Sequence, residues 1–156
     1  YDKIIIQQRS MTEKEREDFL LSFNEQPDVT LLGFAVLGGI FSEGIDLVGE
    51  KLSGAIIVGV GLPQICDERD IIKDYFNRTN KMGFEYSYRY PGMNRVLQAA
   101  GRVIRTERDR GFIMLIDDRF LQRCYLEMFP EEWSNYMRVY ARSSVQKILD
   151  GFWLHT

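Results

Sequence analysis

The chain has 156 residues, the size of one ordinary domain; 45% are hydrophobic, 28% are charged, and the formal charge is −3. Such a composition excludes a disordered tail, and the acidic balance argues against a strongly basic nucleic-acid binder. No apolar run approaches the roughly 20 residues needed to cross a bilayer, and no basic-then-apolar leader points to export. An intracellular, cytoplasmic-type protein without membrane contact is therefore expected. Tyr1 stands where an initiator Met would, so the sequence reads as a processed or excised piece. Two cysteines, Cys66 and Cys124, and one histidine, His155, exclude a cysteine-only metal knot and a multi-histidine centre.

In chain order, apolar runs alternate with helix-like stretches, the pattern of an α/β fold with a parallel sheet. Lys3–Gln8 (KIIIQQ) predicts a strand. Thr12 and Glu15 form a capping box for a helix with Phe19, Leu20 and Phe23 on its apolar face, stopped by Pro27. Val29–Leu37 reads as a strand buried on both faces, Gly38–Gly49 as a glycine-rich loop, and Gly54–Val60 as a second buried strand closed by Gly61-Leu62-Pro63. Asp67–Lys81 predicts a helix with Ile71, Ile72, Tyr75 and Phe76 inward. Tyr86–Tyr90 looks aromatic and irregular. Pro91 suits the first turn of a helix running to about Thr106. Phe112–Ile116 is a fourth buried strand ending in Asp117-Asp118. Pro130 opens a short helix, and Ser143–Trp153 forms the last one. With no repeat or linker in sight, residues 1–156 are expected to be one domain.

Working groups of open parallel sheets gather at the carboxyl ends of strands. One candidate cluster is the loop Gly38-Gly39-Ile40-Phe41-Ser42-Glu43-Gly44-Ile45-Asp46. Its glycines allow close approach of a ligand to the backbone. Ser42 and the loop amides can donate to phosphate oxygens. Glu43 and Asp46 can accept from ribose hydroxyls, an arginine or water, although a plain loop with Ser42 or Asp46 as a helix cap explains the same residues. The second cluster is Gln98-x-x-Gly101-Arg102-x-x-Arg105. At about 100° per residue, Arg95, Gln98, Arg102 and Arg105 fall within an arc of roughly 80° on one helix. Leu97, Ala100 and Ile104 occupy a neighbouring arc that can face the sheet. Gly101 costs about 1 kcal/mol of helix stability relative to Ala, which implies close approach by a partner element or ligand. Between Arg95 and Gly111 five arginines stand against Glu107 and Asp109, a local +3 in a chain of −3. Forked arginines one turn apart suit phosphate oxygens. There is no Gly-x-x-x-x-Gly-Lys-Ser/Thr phosphate loop, no Gly-x-Ser-x-Gly elbow and no Cys/His pair. The acidic pairs Glu68/Asp70 and Asp117/Asp118 read as caps and solvated ends.

Together the two clusters resemble motifs V and VI of the XPD/DinG family of superfamily 2 DNA helicases. Ser42-Glu43-Gly44-Ile45-Asp46 followed by a buried strand and Gly-Leu-Pro is similar to motif V. Gln98-Ala-Ala-Gly-Arg-Val-Ile-Arg105, then Asp109-Arg-Gly111 and a strand ending in Asp-Asp-Arg119, is similar to motif VI and its sequel. Tyr90-Pro-Gly-Met-Asn-Arg95 resembles bacterial DinG-like members. The resemblance runs from Tyr1 to about Trp133, leaving 134–156 as a helical tail. It implies the second RecA-like motor domain: a mostly parallel sheet flanked by helices, completing an ATP and Mg2+ site shared with an N-terminal RecA-like domain. By that resemblance Arg102 and Arg105 are arginine fingers and Gln98 orients the nucleotide or attacking water. Glu43, Gly44 and Asp46 link the ATP cleft to the DNA groove. Ser42, Gly39 and Arg95 lie toward single-stranded DNA, along which family members move 5′ to 3′. The iron–sulfur cysteines of many relatives, like the magnesium ligands, belong to the other domain. The family's upstream motif IV is absent from this sequence, and the chain alone is expected to be inactive.

Two other readings remain. One is a RecA-like single-stranded DNA or protein-binding module without ATPase activity. The other is a stand-alone nucleotide-binding enzyme, disfavoured by the missing phosphate loop. In the tail, Trp133, Tyr136, Tyr140, Phe152 and Trp153 are expected to pack as a helical cap, with a docking face or a base-stacking patch as alternatives.

Overall fold

The computed structural model describes residues 2–24, 30–39, 52–104 and 109–154. Strand β1 (Lys3–Ile6) pairs in parallel with β2 (Leu31–Phe34), with Ile4 opposite Leu32 and Ile6 opposite Phe34. Strand β3 (Gly54–Val58) pairs in parallel with β4 (Phe112–Ile116), with Ile56 opposite Met114 and Val58 opposite Ile116. Every strand pairing among the described residues is parallel, as the alternating apolar and helical stretches predict.

Between β1 and β2 runs α1 (Glu13–Leu21). Its capping box forms as expected: the Thr12 amide donates to Glu15 Oε2 at 2.7 Å, and the Glu15 amide donates to Thr12 Oγ1 at 3.3 Å. The Thr12 amide first, and the Thr12 hydroxyl donating to the same Oε2 at 2.8 Å, hold the Glu15 carboxyl below its ordinary pKa. Phe19 is buried, with Ile5, Met11, Leu20 and Phe23 around it. The stop at Pro27 lies outside the described residues.

After β3 the chain turns through Gly59 and Gly61, both at positive φ (85° and 66°), into α2 (Asp67–Asn80). Asp67, Glu68 and Asp70 occupy the first turn of α2, where the helix dipole favours anions. The helix ends at Lys81 in the left-handed region (φ 61°). The expected inward face of α2 is corrected here: Ile71, Ile72 and Tyr75 are exposed. The helix packs edgewise instead. Phe76 stacks on Tyr86 at 4.1 Å, and Arg69 donates to the Ser87 carbonyl at 2.6 Å.

Tyr86–Tyr90 is not irregular. Glu85–Arg89 makes a π-helical turn that leads directly into α3 (Tyr90–Ala100). The wide turn keeps Arg89 between the Phe84 and Tyr125 rings, 5.4 and 5.6 Å from their centroids, and paired with Glu85 at 2.9 Å. Helix α3 ends at Ala100, six residues before the expected end, because the Gly101, Arg102 and Val103 amides close tight turns onto Leu97, Ala99 and Ala100 carbonyls. Its buried stripe is Met93, Val96 and Ala100, continued by Val103; Ile104, expected to face the sheet, is exposed. Among the described residues, a Cβ added to Gly101 would meet only the Leu97 and Gln98 carbonyl oxygens of its own helix.

The main core joins that stripe to Ile57 and Val60 after β3 and to Phe120 and Tyr125 after β4. Beyond β4 come a short 3-10 turn (Asp118–Leu121), α4 (Arg123–Leu126), a second 3-10 turn (Glu131–Trp133) opened by Pro130, and α5 (Arg142–Leu154). The tail does not pack as one cap. Trp133 lies against the core, whereas no residue of α5 is buried and Tyr140 is exposed.

The strands expected to be buried on both faces have one open face. Ile4, Ile6, Phe34, Val36, Ile56, Ile116 and Val58, the last 73% exposed, all stand on alternate, same-parity positions. The register sets these residues side by side on each pair. The sequence carries the apolarity of a two-sided sheet, but the described helices cover one side.

Helix α3 meets the β3 turn backbone to backbone. A Cβ on Gly92 would stand 2.6 Å from the Val60 carbonyl oxygen, and one on Gly61 2.6 Å from the Gly92 oxygen. Gly92→Ala should therefore cost about 1–3 kcal/mol by overpacking. Gly151→Ala, with nothing within 4 Å in α5, should gain up to about 1 kcal/mol from helix propensity. Urea unfolding of the two variants checks the opposite signs.

Candidate functional site at the strand ends

Among the described residues, Gly38 and Arg95 of the two sequence clusters meet at the carboxyl ends of the strands. Arg95, on the second turn of α3, lies across Gly38 at the start of the loop after β2. A Cβ added to Gly38 would come within 2.6 Å of Arg95 Nε. Gly38 has φ 78°, so both backbone conformation and the arginine above it require glycine. The same guanidinium donates from NH1 to the Gly61 carbonyl at 3.4 Å. Arg95 thus ties the entry of the glycine-rich loop, the turn after β3 and helix α3 together, and it is half-buried in doing so.

Gln7 holds the other side of the loop entry, and sequence reasoning missed it. Its amide donates to the Phe34 carbonyl at 2.8 Å, and its Oε1 accepts from the Val36 amide at 2.8 Å. The side chain therefore extends the β1–β2 ladder beyond the strand end. The available signal was an amide side chain directly after KIII, which can stand in for a backbone rung. Gly39 follows, its amide donating to the Val36 carbonyl at 3.0 Å.

Gln98 is exposed on α3, one turn after Arg95. Arg102 is half-buried, and it sits in the turn beyond the helix rather than on its face. The single helical arc drawn through Arg95, Gln98, Arg102 and Arg105 is therefore corrected. Arg95 and Gln98 share α3, and the tight turns at Gly101–Val103 redirect the chain before Arg102 can continue the stripe. Ser42, Glu43, Gly44, Asp46 and Arg105 lie outside the described residues.

At the end of β4 the polar partner is local. Arg119 donates to Asp117 through its amide and Nε to Oδ1, both at 2.9 Å, and through NH2 to Oδ2 at 2.7 Å. Asp117 also caps the 3-10 turn, as expected for a strand-end acid. The Arg119 side chain, ahead of its amide, depresses the Asp117 pKa to about 2. The glycine at position 59 faces this carboxylate, 4.0 Å from where a Cβ would stand.

Because the folded pKa of Asp117 is depressed, its stabilisation is complete above the unfolded carboxylate value of about 3.9 and is lost as pH falls toward 2. Asp117→Asn should destabilise the chain at pH 7 by about 1 kcal/mol, discounted because Arg119 is partly open to solvent. The difference from the unmodified chain should shrink between pH 4 and 2. Thermal melts of both proteins across that range measure it.

Comparison with known proteins places this geometry. Residues 1–136 match the helicase C-terminal domain family. The chain is 29% identical over 140 residues to a regulator of telomere elongation helicase 1 homolog of Caenorhabditis elegans, covering 83% of this chain and 14% of that protein. It is 32% identical over 132 residues to a Fanconi anemia group J protein homolog of Gallus gallus, covering 81% of this chain and 10% of that one. A solved XPD helicase structure superimposes with a TM-score of 0.61 at 25% identity, over 80% of this chain and 22% of the helicase. The chain thus spans roughly a seventh or less of these curated relatives. A parallel α/β domain of this shape, matched over most of its length, belongs to the helicase C-terminal domain family of the XPD/DinG-type superfamily 2 helicases.

Proposed function

We propose that this chain is the second motor domain of an ATP-dependent DNA helicase that moves 5′ to 3′, and that it supplies motifs V and VI to an ATP site shared with an N-terminal RecA-like domain. The observation that carries the reading is the Arg95 guanidinium laid on Gly38 and bonded to the Gly61 carbonyl. It joins the loop read as motif V to the helix read as motif VI at the carboxyl ends of the strands, where α/β domains hold nucleotides.

In this reading Arg102 and Arg105 reach the γ-phosphate and stabilise charge developing in phosphoryl transfer. Gln98, exposed on the preceding helical turn, orients the nucleotide or the attacking water. Glu43, Gly44 and Asp46 connect the nucleotide to the DNA groove, where Ser42, Gly39 and Arg95 lie. The arginine donors suit the triphosphate of ATP, whose oxygens accept forked hydrogen bonds. ATP supplies the phosphoryl group whose cleavage drives movement. Mg2+ would be held by the other domain, as the family resemblance implies. Residues 1–156 form one domain, with 134–156 as an appended tail. The open apolar faces of the two strand pairs, with Ile6 and Phe34 on one and Val58 and Ile116 on the other, support further polypeptide packing on them.

Incubated with ATP and single-stranded DNA, this chain alone should release phosphate at the background rate. In a longer protein carrying this sequence after its first motor domain, Arg102→Ala or Arg105→Ala should cut DNA-stimulated turnover by about 10³-fold or more. The fold, read by circular dichroism, should not change. Full turnover in both variants removes the finger assignment.

A further inference from the structure

Where the family match ends, at residue 136, the chain carries an aromatic and basic cluster that the proposed motor site does not use. Tyr136 is anchored from below. Its ring stands edge-on to Phe129 at 5.7 Å, and Phe129 stands edge-on to Trp133 at 5.2 Å, both packed on the main core. From above, the Arg138 guanidinium lies 5.8 Å from the Tyr136 centroid and donates through NH2 to the Tyr136 hydroxyl at 3.1 Å. Two residues on, Tyr140 is 85% exposed.

Charge narrows the occupant. From Asn135 to Leu149 the chain carries Arg138, Arg142 and Lys147 and no acidic residue, a local +3 in a chain of −3. All three cations are exposed. A flat π-face in water, an arginine fixed beside it and an unopposed positive run suit a stacked base followed by phosphates. The hydroxyl of Tyr136 first, and that of Tyr140 as well, raise the Arg138 pKa.

We propose that Tyr136, Arg138, Tyr140 and Arg142 form a stacking ledge for single-stranded nucleic acid, separate from the loop at Gly38 and the Arg102 turn. Tyr140 stacks a base, Arg138 and Arg142 neutralise neighbouring phosphates, and the anchored Tyr136 fixes the ledge to the core.

Fluorescence anisotropy of an end-labelled oligothymidine with this chain tests the ledge. The titration contains no ATP, so its outcome is independent of the finger assignment. Tyr140→Ala should weaken binding about 5- to 100-fold, the loss of one base–aromatic stack, whereas Tyr140→Phe should stay within about twofold. Arg138→Gln with Arg142→Gln should lower the slope of log affinity against log salt by about 1. Tyr140 is solvent-facing, so its melting temperature serves as the control for fold. Unchanged affinity in Tyr140→Ala overturns the proposal. So does no binding by the unmodified chain, or equal binding of a blunt duplex. Self-association in sedimentation that Tyr140→Ala abolishes would make the patch a protein contact and overturn it too.

Discussion

The close approach of two backbones, Gly61 after β3 and Gly92 at the start of α3, is the constraint on which the rest of the structure depends. Two segments separated by thirty residues meet with no side chain between them. That contact brings the first turn of α3 against the strand end, and the stripe Met93, Val96 and Ala100 then falls onto Ile57 and Val60. Once α3 is seated, Arg95 has one place to go: across Gly38, with the Gly61 carbonyl beneath it. A methyl group at either glycine would lift the helix and move the arginine away from the loop. Catalytic geometry of the kind proposed tolerates little displacement, since about 1 Å of misplacement can cost on the order of 100-fold in rate. The glycines therefore act on function through distance rather than chemistry.

Charge follows the same local logic. The chain is acidic overall, yet positive charge is gathered at Arg95–Arg110 and at Arg138–Lys147. Counterion release depends on the phosphates actually neutralised, not on the net charge of the domain. If both basic segments contact nucleic acid as proposed, an acidic remainder would limit non-specific adhesion, and a few local contacts would suit stepwise release better than a uniformly basic surface.

The sequence made the pairing of strands legible because each strand is a short apolar run and each helix start carries a chemical mark. Thr12 and Glu15 cap α1 as a box, acids fill the first turn of α2, Pro91 stands in the first turn of α3, and Pro130 opens the turn before Trp133. Three things were not legible. The end of α3 depends on where Gly101–Val103 can form tight turns, and helical periodicity continues through Ile104 regardless. The π turn arises from Arg89 held between two rings, one of them Tyr125, thirty-six residues away, which no local pattern records. The outward set of Ile71, Ile72 and Tyr75 reflects edgewise packing of α2 through Phe76, a tertiary preference that overrides an apparently amphipathic face. At the site, the two clusters were readable from residue types. That Arg95 and Gln7 clamp the loop entry from opposite sides was not, because each acts across a sequence distance of about thirty residues or more.

Arg110 clips the tail to the segment before β4. Arg110, just before β4, donates to the Phe152 carbonyl at 3.1 Å and lies 5.1 Å from the centre of the Phe152 ring. The acceptor is at the C-terminal end of α5, where unsatisfied carbonyls and the helix dipole favour a cation. With no buried residue of its own, α5 gains little from apolar packing, so this polar clip carries much of its attachment. A charged hydrogen bond at the surface weakens with salt far more than buried apolar area does. The core that holds α3 and the clip that holds α5 therefore respond differently to ionic strength. The family-matched motor fold is fixed by packing, while the appended helix is fixed by charge.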